Sequence, residues 1–189
     1  MRKIIIVFTL VLQAFGFEHQ YIHKSYEDAQ SDTDNYIRVA GESTKLGFIT
    51  TEYDGFVKKY KISYLKKNEK IEALYIKISA SSIDTDNSLR DEKMNNETLD
   101  TKKNEFIIFT SKESLVLREG STKLSGILSI RSKEHLIDLN LDVEKEGVIF
   151  RIKGKAEISL KDFNIPDPSI AIAKVKDSHT LEFGHVINE

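Results

Sequence analysis

The sequence predicts an all-β fold: an antiparallel barrel of about eight strands with a short helical crossing around residues 88–96. Three observations carry this expectation. From Tyr36 onward, apolar residues recur with period two, the signature of half-buried strands. One polar stretch, Ser82 to Met94, leaves a β-patterned run and returns to another at Glu105–Ser111, where antiparallel strands are ordinarily joined by hairpins of a few residues. The inward-facing set is apolar, without a mid-strand charge in the clearest runs, and strands of this kind close into a barrel or fold as a sandwich.

The amino terminus has a different character. Met1-Arg2-Lys3 is basic, Ile4 to Leu12 is an unbroken apolar run, and Ala14-Phe15-Gly16 places small residues at a cleavage position. This is the layout of a secretory signal peptide over residues 1–16, and the apolar run is short for a permanent membrane span. The expected product is an exported, soluble chain, with an uncleaved amino-terminal anchor as the alternative. Residues 17–35 read as a polar amino-terminal segment that lies on the domain or is partly disordered, and residues 36–189 as the β-domain.

The strands follow in order. Leu46 and Phe48 share a face, then Phe56, Tyr60, Ile62 and Tyr64 alternate with polar neighbours. Leu74, Ile76, Ile78 and Ala80 form the next inward row. Beyond the crossing come Leu124, Leu128 and Ile130, then Ile137, Leu139, Leu141 and Val143. Glu144 to Gly147 reads as a hairpin turn into Val148, Phe150, Ile152, Gly154, Ala156, Ile158 and Leu160. Pro166 and Pro168 mark a loop, since neither can donate to a ladder. Thr180 to Ile187 closes the set with Leu181 and Phe183 on one face.

In the crossing, Ser88 is placed to cap a short helix through the N–H of Asp91, and Asp91 and Glu92 suit its first turn. Arg90 lies among Asp84, Asp86 and Asp91, so the sequence predicts a charge-assisted pair that clamps the crossing.

Motifs for chemistry are sparse. The chain has no Cys, which excludes disulfides and thiol chemistry, and no H-E-x-x-H pair or Gly-rich phosphate loop. Gly41 to Lys45 lacks the final glycine of a nucleophile elbow. His19 and His23 read as solvated side chains, and His185, which shares parity with Leu181 and Phe183, as an inward histidine near the rim. No catalytic residue and no metal ligand is assigned. The formal net charge of −2, with interspersed signs, is unsuited to nucleic acid.

Several blocks stand in a familiar order: Ser82-Ile83-Asp84-Thr85, Leu89-Arg90-Asp91 with Met94, Phe109-Thr110-Ser111, Gly126-Ile127-Leu128-Ser129-Ile130, and Lys161-Asp162-Phe163-Asn164-Ile165. In these the chain resembles the YceI-like family, bacterial periplasmic polyisoprenoid-binding proteins with a lipocalin-like barrel, over Tyr36 to Ile187. It departs from the family at Asn164, where glycine is usual, although asparagine also tolerates left-handed backbone. It also lacks glycines near Lys58-Lys59 and Ser132, and the proline before the Ile107-x-Phe109 pair.

The resemblance implies a non-enzymatic carrier of a long-chain amphiphile, a polyisoprenoid, isoprenoid quinone or fatty amide. It calls for no cofactor beyond a bound isoprenoid or fatty lipid and leaves homodimerisation open. The pocket-lining candidates are then Phe48, Tyr60, Leu74, Ile76, Ile78, Met94, Phe109, Leu128, Phe150 and Phe183. The alternative is a stress-response or interaction protein whose barrel is a packed, ligand-free core. Patterning alone does not separate the two, because the same apolar residues serve both.

Overall fold

The computed structural model describes residues 16–188. The expected signal segment therefore lies outside the described residues, apart from Gly16. The elements before the crossing are β1 (Phe17–Ile22), α1 (Tyr26–Ser31), β2 (Tyr36–Lys45), β3 (Ile49–Val57), β4 (Lys59–Lys67), β5 (Lys70–Ser79) and β6 (Ile83–Asp84). After them come α2 (Ser88–Lys93), β7 (Phe106–Ser111), β8 (Leu115–Val116), β9 (Gly120–Ile130), β10 (Lys133–Glu146), β11 (Ile149–Ser159), β12 (Ala173–Val175) and β13 (Ser178–Asn188). The fold is all-β and antiparallel with a short helical crossing.

One sheet of 13 strands runs in the order β1-β4-β5-β7-β9-β10-β11-β13-β2-β3-β6. Only Lys58 separates β3 from β4, so the two form a single bent strand that belongs to both ends of this order. Its first half pairs with β2 and its second with β5, and Lys58 N–H continues the ladder to the Ser82 carbonyl at 3.0 Å. Followed through that bend, the ring closes in eight members, the bent strand, β5, β7, β9, β10, β11, β13 and β2, while β1, β6, β8 and β12 are additions to it.

Two-residue turns set the register. Arg131 and Ser132, at φ 51° and 59°, close the β9–β10 hairpin in the left-handed geometry that matches strand twist. Gly147 (φ 61°) does so for β10–β11, at the turn expected there. Asn164 adopts the left-handed conformation (φ 51°), as its place in a usual glycine position implies. The inward rows then meet in one core that includes Ile62, Leu74, Ile76, Leu124, Leu139, Leu141, Phe150 and Ile152. Phe150 is fully buried.

Three expectations are corrected. The segment 17–35 is built into the domain: β1 pairs with β4 from Phe17↔Tyr64 to Ile22↔Lys59, and α1 is capped by Ser25. Its period-two signal was carried by Phe17, His19 and Tyr21 rather than by aliphatic residues, over only six positions. Leu46 and Phe48 do not lie on an inward strand face, because Leu46 (φ 50°) and Gly47 (φ 81°) turn the chain between β2 and β3. In the crossing, Asn87 rather than Ser88 caps α2, accepting from Arg90 N–H at 3.0 Å.

Candidate functional site

The interior of the ring collects most of the residues that the sequence marked. Tyr60, Leu74, Ile76, Phe109, Leu128, Phe150 and Phe183 are all buried in the core, and Ile78 and Met94 pack against it half-buried. Phe48 is the exception: at 77% exposure on the β2–β3 turn it lines nothing inside, so its place among the pocket candidates is corrected. Among the described residues the buried polar side chains are Ser63, Thr85, His179 and His185, with no Lys, Arg, Asp or Glu, so the wall is mostly hydrocarbon.

Two inward glycines shape that wall. A Cβ at Gly126 would stand 2.2 Å from the Phe109 ring, and one at Gly154 only 2.0 Å from the Phe183 ring. Both rings therefore pack against bare backbone of the neighbouring strand. The space left is small. A void lined by Ile62, Ile71, Leu74, Ile76, Leu115, Leu141, Ile152, Phe183, His185 and Ile187 has a volume of about 10 Å³, room for at most one water molecule. The larger depression, about 680 Å³, is an open groove on the outer wall lined by residues such as Lys123, Asp142, Lys153, Lys155 and Glu182, and its charge does not suit an alkyl chain.

Polarity reaches the interior where β1 meets β13. There β1 pairs with β4 on one edge, while toward β13 it makes ring contacts. The His19 and His185 rings are 5.4 Å apart, and Tyr21 stacks on Tyr60 at 4.8 Å. Asn35 Oδ1 fixes the hydrogen-bond directions. It accepts the backbone N–H of Val186 (3.2 Å), which can only donate, and the Tyr21 hydroxyl (3.0 Å). With its proton spent on Asn35, the Tyr21 oxygen accepts from His185 Nδ1 at 3.2 Å. His185 thus carries its proton on Nδ1, and Nε2 is left as a buried acceptor without a partner. The buried Tyr60 hydroxyl also has none.

Burial sets the charge state of this seam. It pushes the His185 pKa down to about 4, aided by neighbouring His19, and the Tyr21 phenol up to about 12. Tyr60 is raised further by the same cause. At neutral pH both His185 and the tyrosines are uncharged.

At the crossing, the polar cluster is satisfied from within. Arg90 Nε donates to Thr85 Oγ1 (2.8 Å) and Nη2 to the Thr85 carbonyl (3.0 Å), while the Thr85 hydroxyl donates to Asp91 (2.6 Å). The expected Arg90–carboxylate pair is thus replaced by a contact through Thr85, and Asp84 pairs with Lys58 instead (2.8 Å). Arg90 also lies over the Tyr53 ring at 4.8 Å, and the Tyr53 hydroxyl meets His179 Nε2 at 2.7 Å. That bond crosses Gly41, where a Cβ would stand 2.6 Å from both atoms. Among the described residues, no group of three or more His, Cys, Asp or Glu is placed to hold a metal.

The YceI-like domain model matches residues 34–186, nearly the whole of the ring. The chain belongs to the YceI-like family. Solved structures agree in fold. BcnA of Burkholderia cenocepacia superposes with a TM-score of 0.66 at 17% identity, covering 80% of this chain and 96% of that one. A polyisoprenoid-binding domain from Saccharophagus degradans, implicated in plant cell wall breakdown, gives 0.60 at 12%, covering 82% and 97%. The YCEI protein of Campylobacter jejuni gives 0.58 at 20%, covering 71% and 84%. No curated protein matches the sequence. The family match begins at residue 34, so β1 and α1 lie outside it, while Asn35, Tyr60 and His185 of the seam lie within it.

Proposed function

We propose that this YceI-like protein is an exported, periplasmic, non-enzymatic binder of a long-chain amphiphile. The tail occupies the barrel interior and an uncharged head group docks at the β1–β13 seam. The carrying observation is a hydrocarbon wall with two unpartnered polar atoms at the seam, His185 Nε2 and the Tyr60 hydroxyl, which with His23 Nε2 and Asn95 Oδ1 are the buried side-chain atoms without partners among the described residues. Buried polar groups are ordinarily paired, and leaving one unpaired costs about 1–3 kcal/mol. A neutral head group that both donates and accepts, an amide or an alcohol, answers both atoms. A quinone, which only accepts, answers Tyr60 alone. A carboxylate finds no cation in the core to offset its desolvation. The polyisoprenoid-binding description of the Saccharophagus degradans domain supports a lipid ligand.

The interior as it stands is closed, so the tail must displace side chains. The Phe109 and Phe183 rings are the natural movers, since each lies over a glycine and leaves open wall when it rotates. A tail of ten or so carbons gains about 0.8 kcal/mol per buried methylene, enough to offset moving two rings. The void of about 10 Å³ favours a second reading, a packed barrel that carries nothing. Native mass spectrometry of protein purified from its own periplasm separates them. The carrier shows a lipid adduct that organic extraction removes and His185→Phe weakens. A chain at its bare mass, unchanged after incubation with long-chain amides and alcohols, leaves the packed barrel.

A further inference from the structure

The misplaced Phe48 leads to a surface the barrel itself does not need. Beyond Ala40, β13 no longer pairs with β2, and β12 takes its place from Ser43 to Lys45. On the other side, β6 pairs with β3 only at Phe56 and Val57. The distal half of the β2–β3 hairpin therefore leaves the ring as a narrow ribbon, β3-β2-β12. Its tip joins two turns, since Leu46 N–H donates to the Ile172 carbonyl at 2.9 Å.

Five large apolar side chains gather on that tip: Leu46, Phe48, Ile49, Ile170 and Ile172, exposed from 46% to 77%. Scattered exposed apolar residues need no explanation, but five on two adjoining turns form a patch. Gly47, at the apex, has nothing within 4 Å of where a Cβ would stand. Charge follows a pattern. Lys45 and Lys174 flank the apolar tip, neither within 4.0 Å of a carboxylate among the described residues, with Asp167 the acid whose charge Lys174 feels. The ribbon's acids lie toward its base, where Glu42 faces Glu52 and is tied to Lys176 at 3.2 Å. Asp167, in the loop leading to Ile170, accepts from Ser169 N–H at 2.9 Å. Between base and tip the β2–β3 pairs are Ser43 with Thr51 and Thr44 with Thr50, and β12 sets Val175 and Lys174 beside them.

We infer that this tip is a membrane anchor, which inserts Leu46, Phe48, Ile49, Ile170 and Ile172 into the interface of an anionic bilayer while Lys45 and Lys174 meet its head groups. A second protein copy suits it poorly, because a stable interface needs roughly 800 Å² per partner in complementary shape, and this is the convex end of a three-strand ribbon. A bilayer needs no complementary shape; it takes apolar bodies to a depth of about 5–10 Å and rewards adjacent lysines where lipids are anionic. The anchor stands whether or not the interior carries an amphiphile.

Vesicle co-sedimentation of the full exported chain tests it, with phosphatidylcholine vesicles carrying phosphatidylglycerol and with phosphatidylcholine alone. The expected result is binding to the anionic vesicles, weakened about tenfold or more in Phe48→Asp/Ile172→Asp and weakened by salt in the parent. Lys45→Glu/Lys174→Glu should lower binding to anionic vesicles and leave the weaker binding to neutral ones unchanged. Because all four positions are exposed, the thermal melts of both variants should match the parent, so a loss reads as lost docking. Failure of the parent to sediment with either vesicle overturns the anchor, as does equal binding by the Asp variant. A concentration-dependent dimer in sedimentation velocity, abolished by the Asp variant, also overturns it and assigns the tip to a second copy.

Discussion

The barrel has two polar clusters that look alike in sequence and differ in kind. At the crossing, Arg90 donates to Thr85 and Thr85 to Asp91, Tyr53 bonds His179, and the Arg90 guanidinium over the Tyr53 ring joins the two pairs, so each group finds a partner within the cluster. At the seam, the network of Asn35, Tyr21 and His185 ends on an acceptor with nothing to accept, beside a tyrosine hydroxyl in the same condition. A closed network does structural duty and stiffens its surroundings. An open one in an apolar wall is a cost that the fold alone does not require. The contrast assigns the clamp to the scaffold and makes the seam the docking point of the proposed ligand, and substitutions can break it.

The largest expected effect is on pH dependence. His185 titrates near 6.5 when unfolded and near 4 when folded, so between those values the unfolded chain holds more protons. The stability from keeping it neutral is full above about pH 6.5 and is lost as pH falls toward 4, a difference of about 3 kcal/mol. His179 is shifted the same way by burial, and the paired carboxyls of Asp84 and Glu182, held below their ordinary values, add a further loss at lower pH. His185→Phe should remove the His185 share and leave stability at pH 7 unchanged or raised, since Phe has no acceptor to strand. Denaturant melts at pH 7 and pH 4.5 measure both. Equal acid sensitivity in parent and variant would show that His185 is not held neutral in the folded barrel.

Next comes the wall between the clusters. Ile76 is buried at 5% exposure on β5 and lines the small void. Ile76→Trp should overpack that region and cost about 1–3 kcal/mol in a denaturant melt. If the rings over Gly126 and Gly154 give way readily, the cost should fall below about 1 kcal/mol while lipid retention drops, which is the carrier's signature. The full cost with no lipid in the parent is the packed barrel's.

Thr85→Val sharpens the same comparison from the clamp side. The change keeps shape and deletes the hydroxyl that accepts from Arg90 and donates to Asp91. It should cost about 1–3 kcal/mol at pH 7, because two polar side chains lose a partner around a buried position. His185→Phe at the seam should cost nothing there. Opposite behaviour, a harmless clamp deletion and a costly seam replacement, would exchange their roles.

How far these clusters were legible follows from range. The strands were, because alternation is local and the inward rows carry aliphatics. His185 could be seen to face inward from its parity with Phe183, but the tautomer depends on Asn35, 151 residues away from its Val186 contact. The Tyr53–His179 bond spans 126 residues and left no local trace. Arg90 was misread because nearby carboxylates suggest an ion pair, whereas the bend of the crossing presents Thr85 first. Phe48 was misread because Leu46 takes a positive φ that leucine seldom adopts, and Gly47 alone was too weak a turn signal.

The smallest effect tests the crossing's own start. Sequence spacing favours Ser88 as the cap, with Asp91 three positions on, yet the structure gives the cap to Asn87, at φ −150° and with its side chain accepting from Arg90 N–H. A capping residue must be extended, and Ser88 is already the first helical residue. Asn87→Ala should therefore cost about 1 kcal/mol and Ser88→Ala a few tenths or less. The cap also orients Arg90, since the same residue supplies the capped N–H and the guanidinium that reaches Thr85. Asn87→Ala should accordingly lose part of its cost in a Thr85→Val background, by some tenths of a kcal/mol in a double-mutant cycle. Strict additivity would mean that cap and clamp are separate devices, and that α2 is held by its packing alone.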